Sequence, residues 1–425
     1  MSEFPKTSVG DLFEKVIGGG TPPRDVPSYW GGEVHWASVK DFTDGCSRLV
    51  TTEETITILG LQNSTSKLIK KGTPVICLRM AVGRVAIAES DVAINQDLKA
   101  LFPKLGVNSA YVCYLLDFIR GQVEARAIGS TVKGISTGEL LRIEVPFPES
   151  ESQQQKIAKI LITVDNLIEK AQALIDKYTS IKQGMMADLF TRGIDLSGTP
   201  ETNPNYGQLR PSYDEAPYLY KKTELGWVPK EWDVELLDNV ALRGSGHTPS
   251  KSYQEYWNGG IKWVSLADSR RLDDLYISDT DKNISELGLK NSSAVKHPMG
   301  TVILSRDAGI GKSAILGQQM AVSQHFMVWS CGRDINNSFL YFWLQHQKPM
   351  FEAIAMGSTI PTIGLGFFKR LKIPLPKSME EQHLIAEMLL TNYEYLKRLG
   401  VELQKYQSTK KGLMQDLLTG KVRVK

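Results

Sequence analysis

The fold is decided by a stretch that occurs twice in the chain and that first runs from Gln153 to Phe190: QQQKIAKILITVDNLIEKAQALIDKYTSIKQGMMADLF. Within it, apolar residues recur at alternating steps of three and four: Ile157, Ile160, Val164, Leu167, Ala171, Leu174, Tyr178, Ile181 and Met185. This spacing is typical of a coiled-coil seam maintained for about four heptads. The stretch therefore predicts a long helix with an apolar stripe that must be buried.

Sequence signals mark both ends of this helix. Ser150, followed three residues later by Gln153, is a capping-box pattern, and Gly193 can take the left-handed conformation that closes a helix. The starting signal returns in the second half of the chain as Ser378 and Glu381. The sequence therefore predicts two long helices of one plan. We call the difference in residue number between Ser150 and Ser378 the repeat offset.

The globular blocks that precede the two helices are repeated as well. Matching positions are Thr21-Pro22 and Thr248-Pro249, Trp36 and Trp263, Ser38 and Ser265, Gly83-Arg84 and Gly311-Lys312, Gln96 and Gln324, and Gly129-Ser130-Thr131 and Gly357-Ser358-Thr359. The first three matches lie one position short of the repeat offset, and the others lie at the repeat offset itself. So many matches with a single change of register indicate a tandem duplication of a globular block followed by a long helix.

The first block has the pattern of a mixed α+β domain. Short apolar runs at 73–78 and 85–88, bounded by glycine, proline and asparagine, predict strands. Apolar residues at helical spacing from Tyr111 to Arg126 predict a single amphipathic helix.

The predicted fold class is α+β, with two pseudo-symmetric globular domains joined by two long antiparallel coiled-coil helices. The predicted limits are residues 1–149 for the first domain, 150–193 for the first helix, 194–224 for a proline-rich linker, 225–377 for the second domain and 378–420 for the second helix. Antiparallel packing follows because the most accessible partner for each apolar stripe is its own copy. Two roles remain open and compatible for the helices: bracing the domains and binding a partner.

Composition indicates an ordinary globular protein of the cytoplasm. The chain has 42% apolar and 23% charged residues and a net charge of +3, which by itself does not indicate a nucleic-acid partner. No apolar run reaches the roughly 18 residues that span a membrane, and the first ten residues lack the pattern of a signal peptide. Four scattered cysteines form no C-x-x-C pair, so neither disulfides nor structural zinc is expected.

Two differing globular blocks, each followed by a long helix with a near-identical frame, resemble the specificity (S) subunit of type I restriction–modification systems. The residues that carry the resemblance are Gly20-Thr21-Pro22 and His247-Thr248-Pro249, Tyr29-Trp30 and Tyr256-Trp257, the two Gly-Ser-Thr triplets, Gln154 and Gln382, Ile157 and Ile385, and Gly226-Trp227-Val228-Pro229. The resemblance covers essentially the whole chain.

This resemblance implies a subunit that reads double-stranded DNA and has neither catalytic residues nor a cofactor. Each block would be a target recognition domain that reads one half of a bipartite, usually asymmetric site. The paired helices would set the gap between the half-sites and bind two methyltransferase (M) subunits, which two restriction (R) subunits can join.

Residues that could contact DNA are cations, amides and hydroxyls placed between the predicted strands, since these groups bind phosphates and base edges. The candidates in the first block are Ser38, Lys40, Arg79, Arg84, Gln96, Ser130, Thr131 and Lys133. The candidates in the second block are Ser265, Arg270, Arg271, Arg306, Lys312, Gln324, Ser358 and Thr359. The predicted subunit interface consists of Ile157, Ile160, Val164, Leu167, Leu174, Ile181, Ile385, Met388, Leu396 and Leu403.

Motifs for other functions fail on their spacing. The run from Gly309 to Ser313 resembles the end of a phosphate-binding loop, but position 306 is arginine where that motif needs glycine, so a turn is predicted. Asp97-Leu98-Lys99 resembles a nuclease element, but its copy reads His325-Phe326-Met327. The six histidines form no pair at metal-ligand spacing. A coiled-coil adaptor that binds proteins or peptides is the alternative interpretation.

Overall fold

A computed structural model describes residues 4–129, 132–355 and 362–424, with the backbone only for Cys46 and Ser47. The chain forms two compact units. Unit 1 combines Met1–Ala173 with Gly400–Lys425, and unit 2 consists of Leu174–Leu399. The division falls within both long helices, so each helix begins in one unit and ends in the other.

Unit 1 is built from short strands and short helices before the first long helix. Its strands are β1 (Lys6–Ser8), β2 (Phe13–Gly18), β3 (Trp30–Ala37), β4 (Cys46–Leu49), β5 (Glu54–Ile56), β6 (Lys67–Ile69), β7 (Pro74–Cys77), β8 (Val85–Ala88), β9 (Val92–Ile94), β10 (Leu98–Pro103) and β11 (Glu144–Pro146). Its helices are α1 (Ile58–Gln62), α2 (Ser109–Phe118), α3 (Arg120–Ala125), α4 (Thr137–Leu141) and the first part of α5 (Glu151–Thr191).

Unit 2 follows the same plan with an added hairpin at its start. Its strands are β12 (Tyr220–Thr223), β13 (Gly226–Pro229), β14 (Trp232–Leu236), β15 (Ala241–Ser245), β16 (Trp257–Val264), β17 (Tyr276–Ile277), β18 (Lys282–Ile284), β19 (Lys296–His297), β20 (Val302–Ser305), β21 (Ser313–Leu316), β22 (Met320–Val322), β23 (Phe326–Cys331) and β24 (Lys372–Pro376). Its further helices are α6 (Leu237–Val240), α7 (Glu286–Lys290), α8 (Asn337–His346), α9 (Lys348–Ala355), α10 (Leu365–Phe368) and the first part of α11 (Met379–Leu418).

The duplication extends to strand order. Unit 1 has a five-stranded sheet ordered β2-β10-β7-β8-β4 and a four-stranded sheet ordered β5-β3-β9-β6. Unit 2 repeats them as β15-β23-β20-β21-β17 and β18-β16-β22-β19. Both also pair an early strand with the strand just before a long helix, as β1 with β11 and β14 with β24. The predicted α+β class with two related sheet-rich units is confirmed.

The central strands are buried on both faces, which explains their continuous apolar sequence. All four residues of β7 are buried. Ile76 packs in a cluster with helix α2, whereas its neighbours Val75 and Cys77 pack in the cluster between the two sheets. A strand that contributes to two cores has no polar face. The sequence of β7 is therefore a continuous apolar run, without the alternation of apolar and polar residues that a half-exposed strand shows.

The predicted single helix from Tyr111 to Arg126 is wrong in one respect. The structure has two helices, α2 and α3, because the backbone leaves the helical region at Ile119 (φ −88°, ψ 6°). Ile119 and Val123 are nevertheless buried in the same core. Helical spacing therefore identified the buried face correctly but not the break.

Each long helix is fixed at its start by a buried glutamine. In unit 1, Gln154 accepts a hydrogen bond from the backbone N–H of Asn108 (2.8 Å) and donates to the carbonyl of Pro148 (3.0 Å). In unit 2, Gln382 makes the same bonds with Asn336 (2.9 Å) and Pro376 (3.0 Å). Since both glutamines are almost fully buried, these bonds fix the direction in which each helix leaves its sheets.

The apolar contacts of the helices are also repeated. The core of unit 1 contains the start of α5 and the end of α11, represented by Ile157, Leu161, Met414 and Leu417. The core of unit 2 contains the start of α11 and the end of α5, represented by Ile385, Leu389, Met186 and Leu189. Every residue of the second set is related to its counterpart in the first by the repeat offset. Within each unit, therefore, the two helix segments run in opposite directions.

The segment at 194–224, predicted as a linker, is attached to unit 2 by a buried ion pair. Arg210 lies 2.5 Å from Glu381 at the start of α11, and both side chains are 4% exposed. The same carboxylate accepts hydrogen bonds from Trp232 Nε1 (3.0 Å) and from the backbone N–H of Ile194 (2.9 Å). A charge buried this deeply requires its partner, so the segment is held in place on unit 2.

Candidate DNA interface

Three loops of unit 1 meet at one end of its five-stranded sheet, because β2 and β7 end where the antiparallel strand β10 begins. Thr21 donates a hydrogen bond to Gln96 (2.6 Å). The guanidinium of Arg79 lies 3.6 Å from the carboxylate of Asp97, and a bond between Met80 N–H and the Lys133 carbonyl (3.0 Å) adds a fourth loop. We name Thr21, Arg79, Gln96, Asp97 and Lys133 loop cluster 1.

Unit 2 builds the equivalent arrangement, loop cluster 2, from Thr248, Arg306, Asp307, Gln324 and His325. Thr248 donates to Gln324 at 2.6 Å, as its counterpart does in unit 1. The ring nitrogen Nδ1 of His325 lies 2.5 Å from Asp307, and the side chain of Arg306 donates to the carbonyl of Ile363 (2.9 Å). Each cluster therefore offers charged and amide groups on a rigid sheet edge.

Glycines allow these loops to approach closely. A Cβ at Gly19 would lie 1.8 Å from the carbonyl oxygen of Ile94, and one at Gly246 would lie 1.6 Å from that of Val322. No larger residue fits at either position without moving the backbone. The first of the three loops is thereby held against the glutamine loop in both units.

A buried tryptophan in each unit fixes the loop that follows the first strand of the five-stranded sheet. Trp36 donates from its indole to the carbonyl of Gly20, and Trp263 donates to that of His247, both at 3.1 Å. Trp36 and Trp263 are 2% and 4% exposed. They serve as anchors of the loops and do not offer a face for stacking on bases.

A recess lies beside each cluster. The recess in unit 1 has a volume of about 430 Å³ and is lined by Met80, Arg84, Arg120 and Lys133, among others. The recess in unit 2 has a volume of about 820 Å³ and is lined by residues that include Leu266, Arg306, Asp307, Glu352 and Thr362. Polar groups that border a concave surface can hydrogen-bond to a group that enters it.

Arg84 and its neighbours form a network at the edge of the first recess. Asp44 accepts a hydrogen bond from Arg120 (2.7 Å) and lies 3.1 Å from Arg84. The pKa of Asp44 is lowered, chiefly by the hydrogen bond from Arg120 and next by the charge of Arg84. Arg84 also donates to the carbonyl of Phe42 (2.9 Å), so this predicted DNA contact already has protein partners.

Two of the predicted hydroxyl contacts, Ser38 and Ser265, have a structural task. Ser38 and Ser265 each begin a short 3-10 helix and share a capping box with Asp41 and Asp268. They are 9% and 8% exposed. Because each hydroxyl is buried against its own carboxylate, neither serine is part of the DNA contact surface proposed below.

The other predicted cations differ in accessibility. Lys40 forms an exposed ion pair with Glu53 (3.4 Å), and Arg270 is exposed. Arg271 pairs with the buried carboxylate of Asp268 (2.7 Å), and Lys312 donates to a backbone carbonyl (3.0 Å). Lys40 and Arg270 thus remain accessible to phosphates, whereas the other two side chains are committed to unit 2.

The predicted contacts of the Gly-Ser-Thr loops lie outside the described residues: Ser130, Thr131, Ser358 and Thr359. Gly129, which precedes the first pair, is described and has a φ of 129°, a conformation that favours glycine.

The predicted interface residues divide into buried and exposed groups. Ile157 and Ile385 are fully buried in the cores of units 1 and 2, and Val164 is 9% exposed, so these three offer little surface to a partner. Leu167, Leu174, Ile181 and Met388 are exposed by 37–44%. Intermediate exposure is found for Ile160, Leu396 and Leu403.

Two further properties concern only the part of the chain that the structure describes. There, no group of three or more histidine, cysteine, aspartate or glutamate residues is arranged to hold a metal ion. No helix in that part is long and apolar enough to cross a membrane.

The chain thus has two related α+β units, each with a cluster of polar loops at one sheet edge. This arrangement is that of a subunit with two recognition domains. The family model for the type I restriction modification DNA specificity domain matches residues 1–177 and again 229–402. Because these two matches cover most of the sequence, the chain belongs to this family.

Individual relatives agree with the family assignment. The MjaIX specificity subunit of Methanocaldococcus jannaschii is 22% identical over 100% of this chain and 97% of its own length. The putative MjaX specificity subunit of the same organism is 26% identical over 81% of this chain and 76% of its own length. Both are named as type I restriction enzyme subunits, which gives no support to the adaptor interpretation.

A solved structure supports the fold. The type I restriction–modification S subunit from M. genitalium superimposes with a TM-score of 0.62 at 16% identity, covering 98% of this chain and 96% of that one.

The candidates selected from the sequence included Arg79, Gln96, Lys133, Arg306 and Gln324. They did not include five other members of the loop clusters: Thr21, Asp97, Thr248, Asp307 and His325. The repeat offset contains the missing signal, since it pairs Arg79 with Asp307 and Asp97 with His325. An exchange of acidic and basic residue types at repeated positions is the signal that would identify Asp307 and His325.

Proposed function

We propose that this chain is the DNA sequence-recognition subunit of a type I restriction–modification complex. Each unit reads one half of a bipartite, asymmetric site in double-stranded DNA. The observation that carries the proposal is the pair of loop clusters: one backbone frame is built twice, and different side chains stand at its equivalent loop positions. Since base edges are distinguished by the donors and acceptors that face them, the half-sites should differ.

The proposal includes the division of labour along the chain. Residues 1–149 and 225–377 are the target recognition domains, 150–193 and 378–420 are spacer helices, and 194–224 is the linker between the halves. Helices of 41 and 40 residues are about 60 Å long at ~1.5 Å per residue. Elements of this length and rigidity can set the gap between two half-sites.

The helices also bind the partners. Two M subunits dock on the long helices, and two R subunits can join the complex, which acts in the cytoplasm. The exposed leucines Leu167 and Leu174 support this assignment, because apolar side chains that the helices leave accessible can pack against another protein. This chain itself performs no catalysis; adenine methylation and ATP-dependent cleavage belong to its partners.

The test is single-molecule sequencing of methylated adenines in host DNA, with and without the gene. We expect deletion to remove one split motif that consists of two short specific blocks around a fixed gap. Re-expression of the unaltered chain should restore the same motif. Methylation that does not depend on the gene would contradict the proposal.

Electrophoretic mobility shifts of the assembled complex give a second, independent measurement. Because binding releases counterions from phosphates, affinity for DNA that contains the motif should fall steeply as salt is raised. Replacing the exposed cations Lys40 and Arg270 with alanine should lower the salt slope without changing the motif.

A further inference from the structure

Each loop cluster carries a contact between a basic and an acidic side chain, and the two side chains exchange places between the units. Arg79 in unit 1 corresponds to Asp307 in unit 2, and Asp97 corresponds to His325, each at the repeat offset. Both pairs are in contact, with separations of 3.6 Å and 2.5 Å. The loop position that holds the cation in unit 1 therefore holds the carboxylate in unit 2.

In unit 1 the pair presents donors. The carboxylate of Asp97 is 13% exposed and accepts a hydrogen bond from Asn95 (3.3 Å), whereas the side chain of Arg79 is 57% exposed. The acid is thus fixed in the loop, and the guanidinium extends from it. A guanidinium offers parallel N–H donors, which match the O6 and N7 acceptors of guanine in the major groove.

In unit 2 the equivalent pair belongs to a chain of hydrogen bonds. The hydroxyl of Thr248 donates to the carbonyl of Gln324, whose amide lies 3.4 Å from Nε2 of His325. Nδ1 of His325 faces Asp307, which also accepts from Thr362. The consistent assignment has Nδ1–H donating to Asp307, which makes Nε2 an acceptor.

The difference changes what each unit can recognise. The side chain of His325 is 32% exposed and the contact of its Nε2 with Gln324 is long (3.4 Å), so this acceptor suits the exocyclic amino group of adenine or cytosine. It offers no pair of parallel donors for guanine. A carboxylate at position 307 adds a second acceptor at the place where Arg79 offers donors in unit 1.

We propose that these two pairs determine specificity for one base pair in each half-site: Arg79, held by Asp97, selects guanine, and His325, held by Asp307, selects a base with an amino group. This inference rests on the proposed function and names the residues that carry out part of it. The shared Thr–Gln bond beside each pair keeps the two loops in the same frame.

The main experiment transfers the unit 1 pair into unit 2 with the double variant D307R/H325D, in the full chain assembled with its M subunits. Sequencing of methylated adenines should show one base pair changed toward guanine in one half-site, with the other half-site and the gap unaltered. Discrimination at that position should shift by about 5- to 150-fold, the range for one good bidentate contact. An assembled, methylating variant with an unchanged motif would overturn the inference.

A second variant remains informative if the double exchange does not fold. Arg79 is mostly exposed, so R79A should leave the fold and assembly intact. For R79A we expect relaxed discrimination at one base pair of the other half-site. R79K should recover phosphate affinity without recovering the preference for guanine, since lysine lacks the parallel N–H donors of the guanidinium. Equal discrimination by R79A and the unaltered chain would contradict the role of Arg79.

The matched control reverses another exposed ion pair of unit 1. Lys6 and Glu144 lie 3.8 Å apart on the ladder of β1 and β11, and each is 68% exposed. The exchange K6E/E144K keeps the net charge and should leave the motif unchanged. If the unaltered chain directed no methylation, the proposed function itself would fail. If the motif changed in this control and in no other variant, residues outside the loop clusters would determine specificity.

Discussion

The same helix-end lysine is held in two different ways in the two units. In unit 1, Lys410 lies 2.7 Å from the carboxylate of Asp165, and both side chains are about 15% exposed. In unit 2, the equivalent lysine is Lys182, and tyrosine replaces the aspartate, so that Nζ lies 5.7 Å from the ring centroid of Tyr393. One unit uses a salt bridge where the other uses an aromatic face.

Apolar contacts at the same junction did not change in this way. The pairs Met414 and Met186, and Leu417 and Leu189, are buried in both units. Burial of apolar surface needs only shape and volume, whereas a buried charge needs one particular partner. The comparison shows that the repeated buried apolar residues define the shared fold, whereas the polar residue that contacts the lysine can differ between the units.

The largest effect is expected at a position where unit 2 has a buried charge pair and unit 1 has an uncharged glutamine. Glu381 pairs with Arg210, while the equivalent residue in unit 1 is Gln153. The variant E381Q gives unit 2 the residue of unit 1 and leaves Arg210 buried beside one exposed acid, Glu231. We expect a loss of about 3 kcal/mol in the stability of unit 2.

Hydrogen exchange measured by mass spectrometry checks this loss, because peptides of unit 1 serve as an internal reference for those of unit 2. The matched control is Q153E, which places the acid of unit 2 on a partly exposed position of unit 1 and should change exchange little. Unchanged protection of unit 2 in E381Q would mean that the ion pair does not hold the 194–224 segment.

A smaller effect with opposite signs is expected for methionine at the two lysine positions. K410M leaves Asp165 with its hydrogen bond from Tyr114 but without its cation, and should destabilise unit 1 by about 2 kcal/mol. The pKa of Lys182 is lowered because burial disfavours its charge, so K182M should leave unit 2 equally or more stable. Equal losses in both variants, measured by the same exchange experiment, would contradict the difference described here.

The next comparison concerns one position on the helix seam. Asn392 in α11 is 8% exposed and its Oδ1 has no hydrogen-bond partner among the described residues, whereas the equivalent residue of α5 is Val164. N392V should stabilise unit 2 by about 1 kcal/mol, and V164N should destabilise unit 1 by a similar amount.

Thermal unfolding of both variants, combined with size-exclusion chromatography, tests the seam. A less stable N392V, or one with an altered oligomeric state, would show that the asparagine fixes helix register, as a polar residue on an apolar helix seam can do.

The smallest effect depends on pH. Burial raises the pKa of Asp117, and Lys410 and Arg120 only partly oppose it; unit 2 has Gln345 at this position. Since the folded state holds the proton more tightly, stability falls as pH rises from the ordinary value, about 3.9, through the raised one. D117N should therefore be the more stable protein at pH 7, and the stabilities of the two proteins should converge below pH 4.

Melting curves of D117N and the unaltered chain at pH 3.5 to 7.5 measure this difference. If the difference in stability between the two proteins does not become smaller toward low pH, the effect comes from packing and not from the carboxyl charge.

The sequence predicted the repeated features of the fold because they depend on local periodicity. Helix α5 was expected from Gln153 to Phe190 and is found over Glu151–Thr191, and strand β8 has its predicted limits. Each of these follows from the order of residues within a short window.

The candidate site was only partly predictable, because its partners are distant in the chain. The sequence predicted Arg84 and Ser38 as DNA contacts, but it did not show that Arg84 pairs with Asp44 or that Ser38 caps a helix together with Asp41. Parallel pairing of β3 with β9 brings together strands more than fifty residues apart, which no local pattern specifies. Whether a basic side chain is accessible to DNA depends on which acidic side chain the fold places beside it.

The composition of unit 1 has a consequence for synthesis on the ribosome. Unit 2 is continuous, from Leu174 to Leu399, but unit 1 needs Met414, Leu417 and Leu418 from the end of the chain to complete its core. The first unit to emerge is therefore the last to be finished. During translation its partly exposed core must wait for more than two hundred residues, so a chain that stops before residue 400 releases one complete unit and one open, aggregation-prone core.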